Sequence, residues 1–208
     1  MRLEILVEGG TVQVPGSLSA PFSTVALLRD GERNILVDPG SLVVIGVLEE
    51  KFERLGLEPE DITDIILTHF HLDHAYNSVH FENATVHLHS NYAVKDYSKF
   101  GTFTGREYMR ILNSWRRVHT IEDGDLLFDK IRIYHTPWHA REHVSLLVET
   151  ENFGKVFFPG DICYTRLDYY EIVKGYRKDD VAEFVKNVSS ESDLIVFTHD
   201  SPLKPLVR

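Results

Sequence analysis

Cysteine is nearly absent from this sequence. Of 208 residues only Cys163 carries a thiol, so no intrachain disulfide can form, and a reducing compartment suits the chain. Long hydrophobic runs are missing as well. No stretch reaches the ~18 apolar residues that a spanning helix needs. The start MRLEILVEGG lacks the basic opening, apolar run and small-residue cleavage site of a secretory signal. A soluble, cytoplasmic protein without membrane contact is the expectation. Positive charge is in deficit, with 22 Lys and Arg against 32 Asp and Glu and a formal net charge of −10. Such a chain offers no general field to phosphate backbones, which argues against nucleic acid as a partner. Arg106, Arg110, Arg116 and Arg117 lie close enough in sequence to form a local basic patch, but a solvated helix face accounts for them more simply. No linker, low-complexity run or repeat divides the chain, so residues 1–208 are read as one domain. The 43% apolar content is enough for a sizeable core.

What is present reads as alternating strands and helices. Segments 3–7, 23–28 and 34–37 are short, apolar or β-branched, and bounded by Gly, Pro and Asp turn signals. Residues 43–55 place Val44, Val47, Leu48, Phe52 and Leu55 at helical spacing, with Gly56 where a helix end wants it. Ile65-Ile66-Leu67 is a buried-strand pattern that runs into Thr68-His69. Further strands are expected at 86–88, 131–134, 144–148, 156–158 and 194–197, and a helix at 179–188. The order predicts an α/β protein with helices covering sheets, and most of its His and Asp residues fall just after strand ends. Segment 90–117 differs: it carries Tyr92, Tyr97, Phe100, Phe103, Tyr108 and Trp115, and is expected to form a lid or pocket wall.

The densest chemical signal is Thr68-His69-Phe70-His71-Leu72-Asp73-His74. Four potential ligands fall within six residues, directly after a buried strand. Imidazole nitrogen and carboxylate oxygen suit zinc, iron or manganese, and this density of polar groups is expensive in a core unless a metal uses it. The order H-x-H-x-D-H resembles the metallo-β-lactamase superfamily, and other motifs extend the resemblance over nearly the whole chain. Val37-Asp38-Pro39-Gly40 is similar to that family's DxG turn, whose Asp supports the ligand loop. Thr136-Pro137-Trp138-His139 is similar to its TPGH loop, Phe158-Pro159-Gly160-Asp161 to its GD turn, and Thr198-His199-Asp200 to its terminal His loop.

The resemblance implies a four-layer αβ/βα sandwich, with two mixed β-sheets flanked by helices, and two divalent ions, zinc first, with iron or manganese accepted by the same donors. It assigns His69, His71 and His139 to one metal and Asp73, His74 and His199 to the other, with Asp161 bridging both. Trp138 departs from the family's Gly and is expected to alter the loop or border the site. Cys163 follows Asp161 by two residues and reads as a small buried side chain. His80, His87, His89, His119, His135 and His143 remain outside the ligand set, and His143 is the one placed to support it.

A family mechanism follows from that ligand set. Two ions so held would supply a bridging hydroxide for attack on a carbonyl or phosphoryl centre, Asp73 would orient it, and no side-chain nucleophile would be needed. Gly-x-Ser-x-Gly is absent. Asp161-Ile162-Cys163-Tyr164 resembles the acyl-homoserine lactonase branch, which implies Tyr164 beside the reacting oxygen and a small lactone, ester or thioester as substrate. Residues 25–40 are also similar to that branch's β-hairpin. The glyoxalase II type of thioesterase is the next branch, and the chain lacks a recognisable C-terminal helical domain for glutathione. Phosphodiesterases or ribonucleases on the same ligands, and an iron-dependent oxidoreductase, are the alternatives. The absence of an export signal argues against a role in antibiotic defence. The sequence leaves the oligomeric state open, a homodimer included.

Overall fold

The structure, a computed structural model, describes residues 1–206. It opens with β1 (Arg2–Val7), a hairpin of β2 (Gly10–Val14) and β3 (Leu18–Phe22), then β4 (Val25–Asp30), β5 (Arg33–Val37) and α1 (Ile45–Leu55). β6 (Asp64–Ile66), the short α2 (Leu72–Ala75), β7 (Thr85–His89), α3 (Thr104–Ser114) and β8 (Arg117–Ile121) complete the first half. The second half holds β9 (Leu126–Leu127), β10 (Ile131–His135), β11 (Val144–Thr150), β12 (Gly154–Phe158), α4 (Arg166–Lys174), α5 (Asp180–Ser190) and β13 (Leu194–Ile195).

Two sheets pack face to face. The first has six strands in the order β1-β4-β5-β6-β7-β8, antiparallel through β5 and parallel from β5 to β8. The second has five, β13-β12-β11-β10-β9, with only the β12–β13 pair parallel. Between them lies a dry core of Leu3, Ala26, Leu28, Ile35, Val37 and Ile66 against Ile131, Ile133, Val144, Leu146, Val148 and Val156. Residues two apart on a strand share a face, so Leu27, Leu36 and Ile65 turn the other way and receive Leu48 and Phe52 of α1 and Tyr108 and Ile111 of α3. The outer face of the second sheet buries Leu147 and Phe157 against Tyr169 and Ile172 of α4 and Val181, Val185 and Val188 of α5. The four-layer αβ/βα sandwich expected from the sequence is therefore present.

Several local expectations need correction. The strand expected at 23–28 begins at Val25, and β2–β3 before it forms its own two-stranded sheet. The helix expected from residue 43 begins at Ile45 after a single tight turn at Leu42–Val44, and Val47 faces solvent instead of the sheet. Only Leu194–Ile195 of the expected strand 194–197 is paired as a strand, because the chain then turns toward the ligand loops. α4 and β8 appear where no element was expected. Tyr97, Tyr108 and Trp115 of the aromatic segment close around the buried Phe70 ring at centroid distances of 4.8, 5.0 and 4.8 Å. These three rings are core packing beneath the ligand loop, while Ser98, Lys99, Gly101, Arg106, Met109 and Arg110 of the same segment line a surface cavity.

Candidate metal centre

β6 ends at Ile66, the chain bends at Thr68 and His69, and it is extended again at His71; Phe70 turns into its aromatic socket while the ring nitrogens of His69 and His71 face each other. His71 then occupies the position before α2, and Asp73 and His74 project from that helix's first turn. His139 comes from the loop after β10, Asp161 from the turn after β12 and His199 from the loop beyond β13.

These loops bring all seven sequence-predicted residues together. His69, His71 and His139 form one group that could hold a metal ion, and Asp73, His74, Asp161 and His199 form a second; within each group the candidate ligand atoms lie within 4.8 Å of one another. In the first, His71 Nδ1 lies 3.0 Å from His69 Nε2 and 3.1 Å from His139 Nε2. In the second, His199 Nε2 and His74 Nε2 stand 3.5 and 3.6 Å from Asp73 Oδ2. Asp161 reaches both groups. Its Oδ1 is 3.4 Å from His74 Nε2, while its Oδ2 is 3.5, 3.6 and 3.9 Å from the ring nitrogens of His199, His139 and His69.

Two observations fit this cluster to cations. His74 Nε2 is fully buried, points at two carboxylates and makes no hydrogen bond among the described residues. Three imidazole nitrogens converge on one point in the other group, a geometry in which shared protons leave lone pairs opposed and a shared cation satisfies them all. The donor set, imidazole with carboxylate, suits divalent transition metals.

A buried network aims these ligands. Asp38 has φ 48°, a left-handed backbone that few side chains other than Asn and Asp accept. From there its carboxylate accepts the Thr68 N–H at 2.8 Å, the Thr68 hydroxyl at 2.7 Å and His74 Nδ1–H at 2.9 Å. His199 Nδ1–H donates to the Phe22 carbonyl at 3.0 Å, and the Thr198 hydroxyl donates to Asp161 Oδ1 at 2.7 Å. His143, singled out from the sequence as a support, is fully buried. Its Nε2 accepts the Asp161 N–H at 2.9 Å and its Nδ1–H faces the Thr136 hydroxyl at 2.7 Å. Gly160 permits this approach: a Cβ there would sit 2.3 Å from His143 Nε2.

Electrostatics agree with neutral imidazoles in the first group. Burial holds His69 well below its ordinary pKa; burial and the neighbouring rings bring His71 down to about 4. Burial also takes His143 to about 3, as an acceptor of a backbone N–H requires. Burial opposes charge on His74 and Asp161 too, but their attraction wins: His74 is held well above the usual range by Asp161 and Asp38, and Asp161 well below it by His74 and His199.

The other singled-out residues scatter. Tyr164 is exposed, its ring 6.0 Å from that of His199, and its carbonyl accepts the His199 N–H at 3.0 Å. Trp138 packs at a tilt against Phe184 of α5, ring centroids 5.6 Å apart, and stays half-exposed. Cys163 is buried among α4 and α5 side chains, and burial pushes its thiol up. Asp200 pairs with Arg166. Sequence reasoning missed the hold on the His139 loop from below: buried Glu142 accepts from Lys95 Nζ at 2.7 Å, and Asn91 donates its side-chain N–H to the Arg141 carbonyl. The threonines preceding His69 and His199 were the unread signal for the rest.

The fold and this site define the class. The sequence profile of the metallo-β-lactamase superfamily matches residues 19–199, and the chain belongs to that superfamily. A Thermotoga maritima protein solved as a candidate metallo-β-lactamase is 52% identical, covers 98% of this chain and 99% of its own, and superimposes with a TM-score of 0.94. An N-acyl homoserine lactonase from a Bacillus species is 30% identical over 71% of this chain, which spans 60% of that relative's length. A quorum-quenching N-acyl homoserine lactone hydrolase structure, 22% identical and covering 96% of this chain and 92% of its own, has a TM-score of 0.70 and shows the shared fold alone. Among the described residues no helix is long and apolar enough to cross a membrane.

Proposed function

We propose that the chain is a metal-dependent hydrolase with a dinuclear centre, acting on a small carbonyl substrate of the lactone, ester or thioester class. The observation that carries this reading is the position of Asp161, whose two oxygens face both ligand groups at once. His69, His71 and His139 would hold one ion and Asp73, His74 and His199 the other, with Asp161 shared and zinc the first candidate. Two such ions supply activated water at neutral pH and neutralise charge that develops on the substrate.

The protein's own residues do the remaining work. Asp38, Thr198 and the Phe22 carbonyl fix the second group, and Asp73, more open than Asp161, would orient the attacking water. Tyr164, whose ring lies 6.0 Å from that of His199, would donate its phenol proton in a hydrogen bond to the oxyanion formed from the carbonyl. The lactonase relative supports the carbonyl class, and the net charge of −10 disfavours polyanionic phosphodiesters.

The test is a panel of lactones, thioesters, phosphodiesters and β-lactams on metal-analysed protein. Cleavage of lactones or thioesters with about two metals per chain is expected. Cleavage of RNA or phosphodiesters alone would replace carbonyl by phosphoryl chemistry, and saturation at one metal, unchanged in His199→Ala, would remove the dinuclear assignment.

A further inference from the structure

Five of the histidines outside the ligand set and the His143 support are His80, His87, His89, His119 and His135. His89 and His135 stack face to face at 3.8 Å; His89 has both nitrogens engaged, by Glu122 and the Asn91 N–H, and His135 has its Nε2 on the Arg141 carbonyl. His87 and His119 are different. They are direct neighbours in the parallel β7–β8 ladder, and their Nδ1 atoms face each other at 3.1 Å.

Asp64, on the next strand, decides what His87 offers. Its Oδ1 accepts His87 Nε2–H at 2.7 Å, while its Oδ2 is occupied by the Thr63 hydroxyl at 2.8 Å. Neutral His87 therefore carries its proton on Nε2 and turns the Nδ1 lone pair toward His119. A carboxylate behind a histidine, fixing its tautomer and raising its basicity, is the arrangement proteins place behind metal-ligating imidazoles. Asp64 and His87 are buried, which makes them rigid, whereas His119 is exposed and leaves the far side open to water. Nitrogens 3.1 Å apart, each about 2.0–2.1 Å from one zinc ion, subtend roughly 100° at the metal, near the tetrahedral value. The same facing of ring nitrogens, at 3.0 and 3.1 Å, occurs among His69, His71 and His139.

We propose that His87 and His119, backed by Asp64, form an accessory site for a divalent transition metal ion, with water completing its coordination. The site is independent of the hydrolase reading. Having two protein ligands instead of three or more, it binds more weakly than the main centre.

The experiment uses protein whose main centre is already loaded with zinc, titrated with further Zn2+ by calorimetry while histidine side-chain 15N shifts are followed. One further equivalent is expected, with shifts at His87 and His119. His119→Ala, an exposed change, should abolish it while leaving the first metals and the hydrolytic rate in place. Asp64→Asn should weaken it by about 10–100-fold. A titration that ends at the loaded centre, or a further equivalent that survives His119→Ala, would overturn the site, as would 15N shifts showing only a proton shared between the rings, unmoved by zinc. Should Asp64→Asn fail to fold, His119→Ala alone decides the matter.

Discussion

The two ligand groups of the centre are built differently. In the second, each histidine spends its other nitrogen on a fixed acceptor: His74 on Asp38, His199 on the Phe22 carbonyl. In the first, His69 is braced by the Thr68 hydroxyl at 3.1 Å, but neither His71 Nε2 nor His139 Nδ1 makes a hydrogen bond among the described residues. His139 is also the more open, with 30% of its side chain accessible against 8% for His199. One half is preorganised by hydrogen bonds to the rings. The other depends on how its loops are held, so the two should differ in how tightly they keep a metal and in what loosens them.

Asp161 has carboxylate oxygens facing histidines of both halves, and its loss gives the largest expected effect. Asp161→Asn keeps the size of the side chain but removes its charge and one of its two acceptors. Activity should fall by about three orders of magnitude or more, with at least one metal lost per chain on elemental analysis. Asp200→Asn, which touches only the Arg166 pair, is the control and should be mild. Equal effects would mean that the bridge lies elsewhere.

Tyr164 tests whether the preorganised half is also where the substrate's charge develops. Tyr164→Phe removes one hydrogen-bond donor and should lower kcat about tenfold to a thousandfold with metal content intact. Unchanged kinetics on the best lactone or thioester would take Tyr164 out of the mechanism.

Asp38 addresses the contrast directly. Under stepwise chelation the wild-type protein should lose the metal of the His71–His139 side first. Asp38→Asn, which weakens the acceptor behind His74, should reduce affinity at the second group about 10–100-fold and shrink or reverse that order. Each loss should also lower the melting temperature, because metal bound only to the folded state adds to its stability. An unchanged order in Asp38→Asn would show that the ring supports do not set the difference.

The contrast also separates what the sequence showed from what it hid. The seven positions that the fold gathers into two groups were legible because His and Asp crowd within motifs that directly follow strands. Asp38 was legible only through the family's turn. The Phe22 carbonyl was not, since a backbone acceptor leaves no mark on residue identity, and its position depends on the β2–β3 hairpin. That hairpin had a readable signal in Pro15-Gly16 between two short β-branched or apolar runs, but Val12, Val14 and Leu18 face solvent and give no core periodicity. The aromatic segment was legible only in part for a related reason: composition shows that rings must pack but not toward what, and Phe70 is the partner of Tyr97 and Tyr108.

The smallest expected effect on catalysis lies in the brace beneath the open half. Glu142 sits between His139 and His143 in the loop, fully buried, and its carboxylate meets Lys95 Nζ from the segment that packs on Phe70. Lys95→Met keeps the aliphatic stem and removes the ammonium, leaving a buried carboxylate without its cation. Breaking such a pair from one side costs about 3–5 kcal/mol when both groups are buried; Lys95 is partly accessible, so about 1–3 kcal/mol is expected here, a fall of several degrees in melting temperature. Lys95→Met with Glu142→Gln should recover most of that loss, because no buried charge is left uncompensated. The double-mutant cycle, run by thermal and denaturant unfolding, isolates the pair from the packing of either side chain. Activity in Lys95→Met should fall only a few-fold and recover at high zinc, since the loop that carries His139 is loosened while its ligand is kept. A single variant as stable as the wild type would mean that the His139 loop is held by the Asn91 contact and its own turn, and that the open half needs no brace from α3's side of the fold.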